Sequence, residues 1–220
     1  MITKRNISLA LTALALAATP GIARAEQRET FKVGDTAFSY VRPEGFCLPS
    51  GPDVALAKEI AALDKSSVTH ANLDRCGSFG EEYTHIKTPI RNEPVTMAKP
   101  LFLAVLAREM QNSGTLAKIE TAMREVEADI AKGVGEENAL KVGSPVFGGQ
   151  DKDCVYIFLL IDVQFGAEKK QGRASGCLTV IDQQFFSVNS YALVESGITF
   201  EALKERSRAV AVSLAKVPAP

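Results

Sequence analysis

Residues 155–163 read Val155-Tyr-Ile-Phe-Leu-Leu-Ile-Asp-Val163, an almost unbroken apolar run carrying one charge, Asp162. A run this short, rich in β-branched and aromatic side chains, reads as a central strand covered on both faces. Two partner strands are expected after it, over about 174–181 and 184–193. If 154–164 and 174–181 form a hairpin turning near Glu168–Lys170, Cys177 falls opposite about Ile161. A helix over 199–216 then closes the chain. Thr199 caps it, and Phe200, Leu203, Val210, Ala211 and Leu214 give it one apolar side. The last stretch, Val217-Pro-Ala-Pro220, is expected to fray.

Upstream, residues 30–47 alternate loosely, with Gly34-Asp35 as a turn and Pro43-Glu44-Gly45 as a break. Two short strands or a hairpin fit. Ser50-Gly-Pro-Asp53 opens a helix over about 52–64, whose Leu56, Ile60 and Leu63 share a face expected to lie on a sheet. Ser67 to Thr88 reads as two strands joined by the Gly77-Ser78-Phe79-Gly80 turn. Pro100 suits the first turn of a helix over about 99–111. Asn112-Ser113-Gly114 separates it from a second, about 115–132. There Leu116, Ile119, Met123, Val126 and Ile130 form a narrow apolar seam. Strands in a run, without regular βαβ alternation, give an α+β class. The expected architecture is a mostly antiparallel sheet with helices packed on it, an α-β-α sandwich, plus the helical pair at about 99–132. No internal repeat and no Gly/Ser linker appears, so residues 26–220 are read as a single globular domain.

The composition excludes several classes. With 46% hydrophobic and 23% charged residues, collagen-like, low-complexity and disordered readings fall away. A formal charge of −1 gives no basic surplus for nucleic acid. Residues 1–25 read as a secretory signal peptide: Lys4 and Arg5 precede an apolar stretch from Ile7 to Ala18. Pro20 and Gly21 break it, and Ala23-Arg24-Ala25 supplies the small residues of a cleavage site. Loss of Lys4, Arg5 and Arg24, with no acid, takes the formal charge from −1 to −4. No transmembrane segment is expected after cleavage, and the location implied is a bacterial periplasm or the exterior.

Cys47, Cys76, Cys154 and Cys177 all follow the leader, and an even count behind a leader favours disulfides. Chain order favours Cys47–Cys76 and Cys154–Cys177. The hairpin register above sets the second pair too far apart, so the connectivity stays open. Zinc and redox motifs need closely spaced cysteines, which are absent.

Phe38-x-x-x-x-Pro43-x-Gly45-Phe46 followed by a helix, and Tyr191-Ala-Leu193 leading into a terminal helix, resemble the PsbP-type α-β-α sandwich. That family is named for an extrinsic photosystem II protein and includes bacterial secreted domains. The resemblance implies an accessory or binding role and supplies no site residues.

The search for chemistry finds little. His70 and His85, the only histidines, fall on the two strands around Gly77–Gly80. They are expected as near-diagonal neighbours on one sheet face, with Asp74 or Glu82 nearby for a metal or acid–base site. Both also suit half-exposed strand positions. Ser213-Leu-Ala-Lys216 has the S-x-x-K spacing, but S-D-N and K-T-G are missing, and Lys216 reads as a helix-end charge. No nucleophile elbow, phosphate loop or calcium loop is present. The sequence therefore favours a non-catalytic binding or envelope accessory protein, with no cofactor and another envelope protein as the partner. The rival is a periplasmic hydrolase or metal-dependent enzyme built around His70 and His85.

Overall fold

The structure, a computed structural model, describes residues 27–134, 138–165 and 167–218; the leader read over 1–25 lies outside them. In chain order come strands β1 (Arg28–Val33), β2 (Thr36–Val41) and β3 (Phe46–Cys47), helix α1 (Asp53–Leu63), and strands β4 (Ser67–Arg75) and β5 (Glu82–Pro89). Helices α2 (Lys99–Met110) and α3 (Ser113–Val134) follow. Next are strands β6 (Asn138–Val142), β7 (Val146–Gln150), β8 (Val155–Phe165), β9 (Glu168–Ile181) and β10 (Gln184–Leu193). Helix α4 (Phe200–Ser213) and strand β11 (Ala215–Lys216) end the chain. The described residues form an α+β fold, with four α-helices packed against antiparallel sheets.

The large sheet runs β3-β4-β5-β10-β9-β8-β6, with β7 also pairing β8, and a small sheet runs β1-β2-β11. Alternation along β8 sets the layers. Tyr156, with Cys154 and Cys177, points to a first face. There Ile86, Val188 and Phe186 meet Phe38 and Tyr40 of the small sheet and Val210, Ala211 and Leu214 of α4. Val155 and Ile157 point to the second face, under Leu103, Ala107 and Met110 of α2 and the partly buried Leu116 and Ile119 of α3. The α3 seam thus docks within its own chain as far as it is described; the side chains of Val126 and Ile130 lie outside the described residues. Both faces of β8 are covered at its start, as the apolar run requires. Further along, the first face opens, leaving Leu160 43% exposed, while Leu159 and Ile161 on the second face stay packed.

Three expectations are corrected. The β8–β9 hairpin pairs Phe165 with Glu168, so Lys169 and Lys170 extend the ladder instead of forming the turn. Charged residues are admitted there because their side chains reach solvent while their backbones pair. The tighter reversal sets Cys177 opposite Tyr156, not Ile161, and brings Cys154 within bridging distance. The disulfides are Cys47–Cys76 and Cys154–Cys177, with Cα–Cα separations of 5.1 and 5.3 Å. The C-terminal stretch does not fray at its start. Ala215 and Lys216 pair with Ser39 and Phe38, and the Val217 amide donates to the Ala37 carbonyl at 2.9 Å. Finally, α1 buries none of its residues, and Leu56 and Ile60, the face expected on the sheet, are 46% and 49% exposed. Its smaller side, Val54, Ala57 and Ala61, faces the edge of β4 across a cleft.

A buried carboxylate ties the layers together. Glu82 accepts from Arg75 Nε of β4 at 2.9 Å and from Arg206 Nη2 of α4. Both guanidiniums lie over the Phe46 ring, 5.3 and 4.7 Å from its centroid. Gly45, at φ +76°, lets the chain enter this crowded corner: a Cβ there would stand 2.7 Å from Arg75 Nη1. Removing the shared anion strands Arg206, which is far more buried than Arg75. Glu82→Gln is expected to lower unfolding stability by about 3 kcal/mol. Arg75→Ala is expected to cost about 1 kcal/mol or less, both read by chemical denaturation. Equal costs would refute the assignment of Glu82 as the inter-layer tie.

Candidate functional site

His70 and His85 do not share a face. A register shift in the β4–β5 ladder sets Thr69 opposite Lys87 and Ala71 opposite Ile86, leaving His70 as the extra residue of a bulge. Without that insertion, alternation would have aligned His70 with Asn72 and His85. With it, the His70 ring turns to the first face, stacks on Phe31 of β1 at 5.0 Å, and its Nε2 meets Thr88 Oγ1 at 2.8 Å. Burial lowers its pKa.

His85 stands on the second face beside two stacked tyrosines, Tyr83 and Tyr191, whose centroids are 4.5 Å apart. Its ring lies 4.9 Å from Tyr83 and 5.6 Å from Tyr191. Asn72 and Asn189 are directly opposite on the two neighbouring strands. Burial, helped by the Lys87 charge, pushes the His85 pKa down to about 3. Its Nδ1 is buried without a hydrogen-bond partner among the described residues, as is Asn72 Oδ1.

The two acids expected nearby have other work. Asp74 Oδ1 accepts from the Gly80 amide at 3.1 Å, holding the β4–β5 turn, and burial raises its carboxyl pKa. Glu82 belongs to the Arg75–Arg206 cluster on the first face. Among the described residues, no three His, Cys, Asp or Glu side chains gather in a way that could hold a metal ion. Ser213 Oγ donates to the Val210 carbonyl and accepts from the Val41 amide, while Lys216 pairs with Asp182 at 2.7 Å. The S-x-x-K spacing is thereby spent on structure.

What the structure assembles around His70 is an open strand edge. β3 contributes only Phe46 and Cys47, opposite Arg75 and Asp74. Among the described residues no strand pairs with Ser67 to Leu73 on that side. Pro49 and Pro52 follow Cys47 and cannot donate to a ladder, so β3 stops and the chain swings out into α1. A cleft of about 190 Å³ lies between α1 and the edge, bordered by Val54, Ala57, Lys58 and Ala61 and by Thr69 to Asn72. A second, of about 530 Å³, opens on the other side toward the β1–β2 turn, bordered by Lys32, Val68, Thr88, Asn92 and Gln184. His70 borders both. Asn92 shapes the second cleft by donating to Gln184 Oε1 at 3.0 Å and accepting from the Phe185 amide at 3.3 Å.

Asp64 fixes where the edge begins. It accepts from Lys87 Nζ at 2.9 Å, from the Ser66 and Ser67 amides at 2.9 and 3.1 Å, and from both serine hydroxyls. Burial works against its charge, but Lys87 and these hydrogen bonds outweigh it and hold the carboxyl well below the usual carboxylate range.

No protein-family model matches the chain, and no curated protein sequence matches it.

The buried imidazole makes stability depend on pH. His85 takes a proton near pH 6.5 when unfolded and only near 3 when folded, so between those values the unfolded chain binds more protons. Stability present above pH 6.5 is therefore lost as pH falls toward 3, at up to ~1.4 kcal/mol per unit. His70 acts with the same sign and Asp74 with the opposite one, so the informative comparison is with His85→Gln. Between pH 7.5 and 5 the wild type is expected to lose ~2 kcal/mol more than the variant in urea denaturation. Parallel pH profiles would mean that His85 is not held neutral.

Proposed function

We propose that the protein is an exported, non-catalytic binding or accessory protein of the bacterial envelope, periplasmic or secreted, which holds another envelope protein at the open edge of β4. The observation that carries this reading is the edge itself: seven residues, Ser67 to Leu73, paired with β5 on one side and without a strand partner among the described residues on the other, where two clefts border His70. An open edge is a template for another chain, and proteins that do not use one guard it with charge, proline, a bulge or a covering helix; here the His70 bulge and the neighbouring α1 guard it in part, and charge and proline do not. Ser67 to Leu73 contains neither Lys, Arg, Asp, Glu nor Pro. Export is supported by the leader pattern and by two disulfides, which persist in oxidising compartments. No helix among the described residues is long and apolar enough to cross a membrane. The resemblance to PsbP-type proteins, whose members are largely accessory, points the same way.

The rival enzymatic reading needs His70 and His85 to act together, and the bulge separates them. The test is capture from periplasmic extract on the immobilised 26–220 chain, with Val68→Lys as the control. Val68 is 44% exposed on the edge, so a lysine there leaves stability within about 0.5 kcal/mol while supplying the missing guard charge. A partner retained by the wild type and lost by Val68→Lys is the expected result. Recovery of no specific protein, or equal retention by both, would overturn the reading. An intact mass beginning at Met1 in the native product would overturn export.

A further inference from the structure

We propose that the occupant of the cleft under α1 is an extended polypeptide segment of small apolar residues carrying one acidic side chain, added to the large sheet as a strand beside β4. This deepens the binding reading above and rests on it. Four observations converge. The usable part of the free edge, Thr69 to Leu73, most of which borders this cleft, is ~17 Å of extended chain at ~3.3 Å per residue, which suits a strand of about five residues. The wall facing it is built from Val54, Ala57 and Ala61, side chains too short to fill the gap, leaving about 190 Å³ for the side chains of an added strand. α1 itself is an unusual wall, since none of its residues is buried although the helix lies against the fold. Lys58 is the one fully charged side chain bordering this cleft, and no ion pair to it exists among the described residues.

Together these assign separate tasks. The β4 backbone supplies affinity through ladder hydrogen bonds, the alanine wall selects small side chains, and the Lys58 ammonium selects a carboxylate. No acid borders the cleft, so a second copy of this chain docked edge to edge brings Lys58 no counter-charge. The His70 bulge bends the edge at its middle, so strand addition is confined to the part from Ala71 toward Leu73 plus the turn into Thr69.

The probe is acetyl-Val-Ala-Glu-Ala-Val-amide, followed by backbone amide exchange on the 26–220 chain. Saturating peptide is expected to slow exchange in Thr69 to Leu73. The Gln analogue is expected to bind about threefold more weakly, in keeping with an exposed ion pair. An analogue N-methylated at alternate amides, unable to complete the ladder, is expected to bind at least about tenfold more weakly. Lys58→Gln is expected to abolish the Glu-over-Gln preference and keep the N-methyl penalty. Binding unaffected by N-methylation, absence of edge protection at millimolar peptide, or edge protection that grows with protein concentration alone would each overturn the proposal; the last would identify a second copy as the occupant. In any of those cases the broader binding reading stands if capture remains sensitive to Val68→Lys, and falls if it does not.

Discussion

The short life of β3 governs much else in this molecule. It gives two residues to the sheet, Phe46 under the Arg75 and Arg206 guanidiniums and Cys47 tied to Cys76. Those guanidiniums are held by one carboxylate, Glu82, which is buried and would be costly to leave unpaired. The chain therefore enters the sheet at a fixed place and must leave it two residues later, where proline denies further pairing. A longer β3 would have closed the sheet along β4. As built, the corner is rigid and the edge beyond it is open.

That arrangement separates stabilising chemistry from recognition. The charged networks, Glu82 with its arginines and Asp64 with Lys87, sit at the two ends of β4. Between them Ser67 to Leu73 carries no charged side chain, is bent by a bulge, and borders two clefts. A binding surface of this kind offers hydrogen-bonding backbone in place of reactive side chains, and rigid ends keep the edge from collapsing onto its neighbour.

The class of fold was readable in the sequence because the signals were local. The apolar run from Val155, the Gly77–Gly80 turn, the Thr199 cap and the Pro100 helix start each follow from a few adjacent residues, and each gives the strand, turn, cap or helix start that was read, although Leu160 leaves one face of the strand partly open. β6 and β7 escaped because they are five residues long, lie on either side of Gly143, and β7 itself carries Gly148 and Gly149. The hairpin register was lost by assuming that a polar segment must be a turn. The bulge at His70 has no sequence signature at all; it is settled by the ring finding Phe31 and Thr88 on the first face, a tertiary choice. The open edge had a legible trace in Pro49 and Pro52, just after Cys47, and in the lack of charge from Ser67 to Leu73. That trace becomes meaningful only when β3 is known to end at Cys47. The face of α1 was misjudged because Leu56 and Ile60 weigh more by hydropathy than Ala57 and Ala61, although it is the alanines that face the neighbouring strand.

The pairing of β11 with β2 has a kinetic side. Residues 36–41 cannot complete their sheet until residues 215–217 arrive, so this contact joins the two ends of the described chain across its whole length. A polypeptide delivered amino end first, whether by synthesis or by translocation, holds Phe38 and Tyr40 without their final neighbours until almost the whole length has emerged. Loss of a handful of residues from the carboxyl end would then do more than trim a tail: it would leave the first hairpin with an unfinished side and expose the arriving chain to premature self-association.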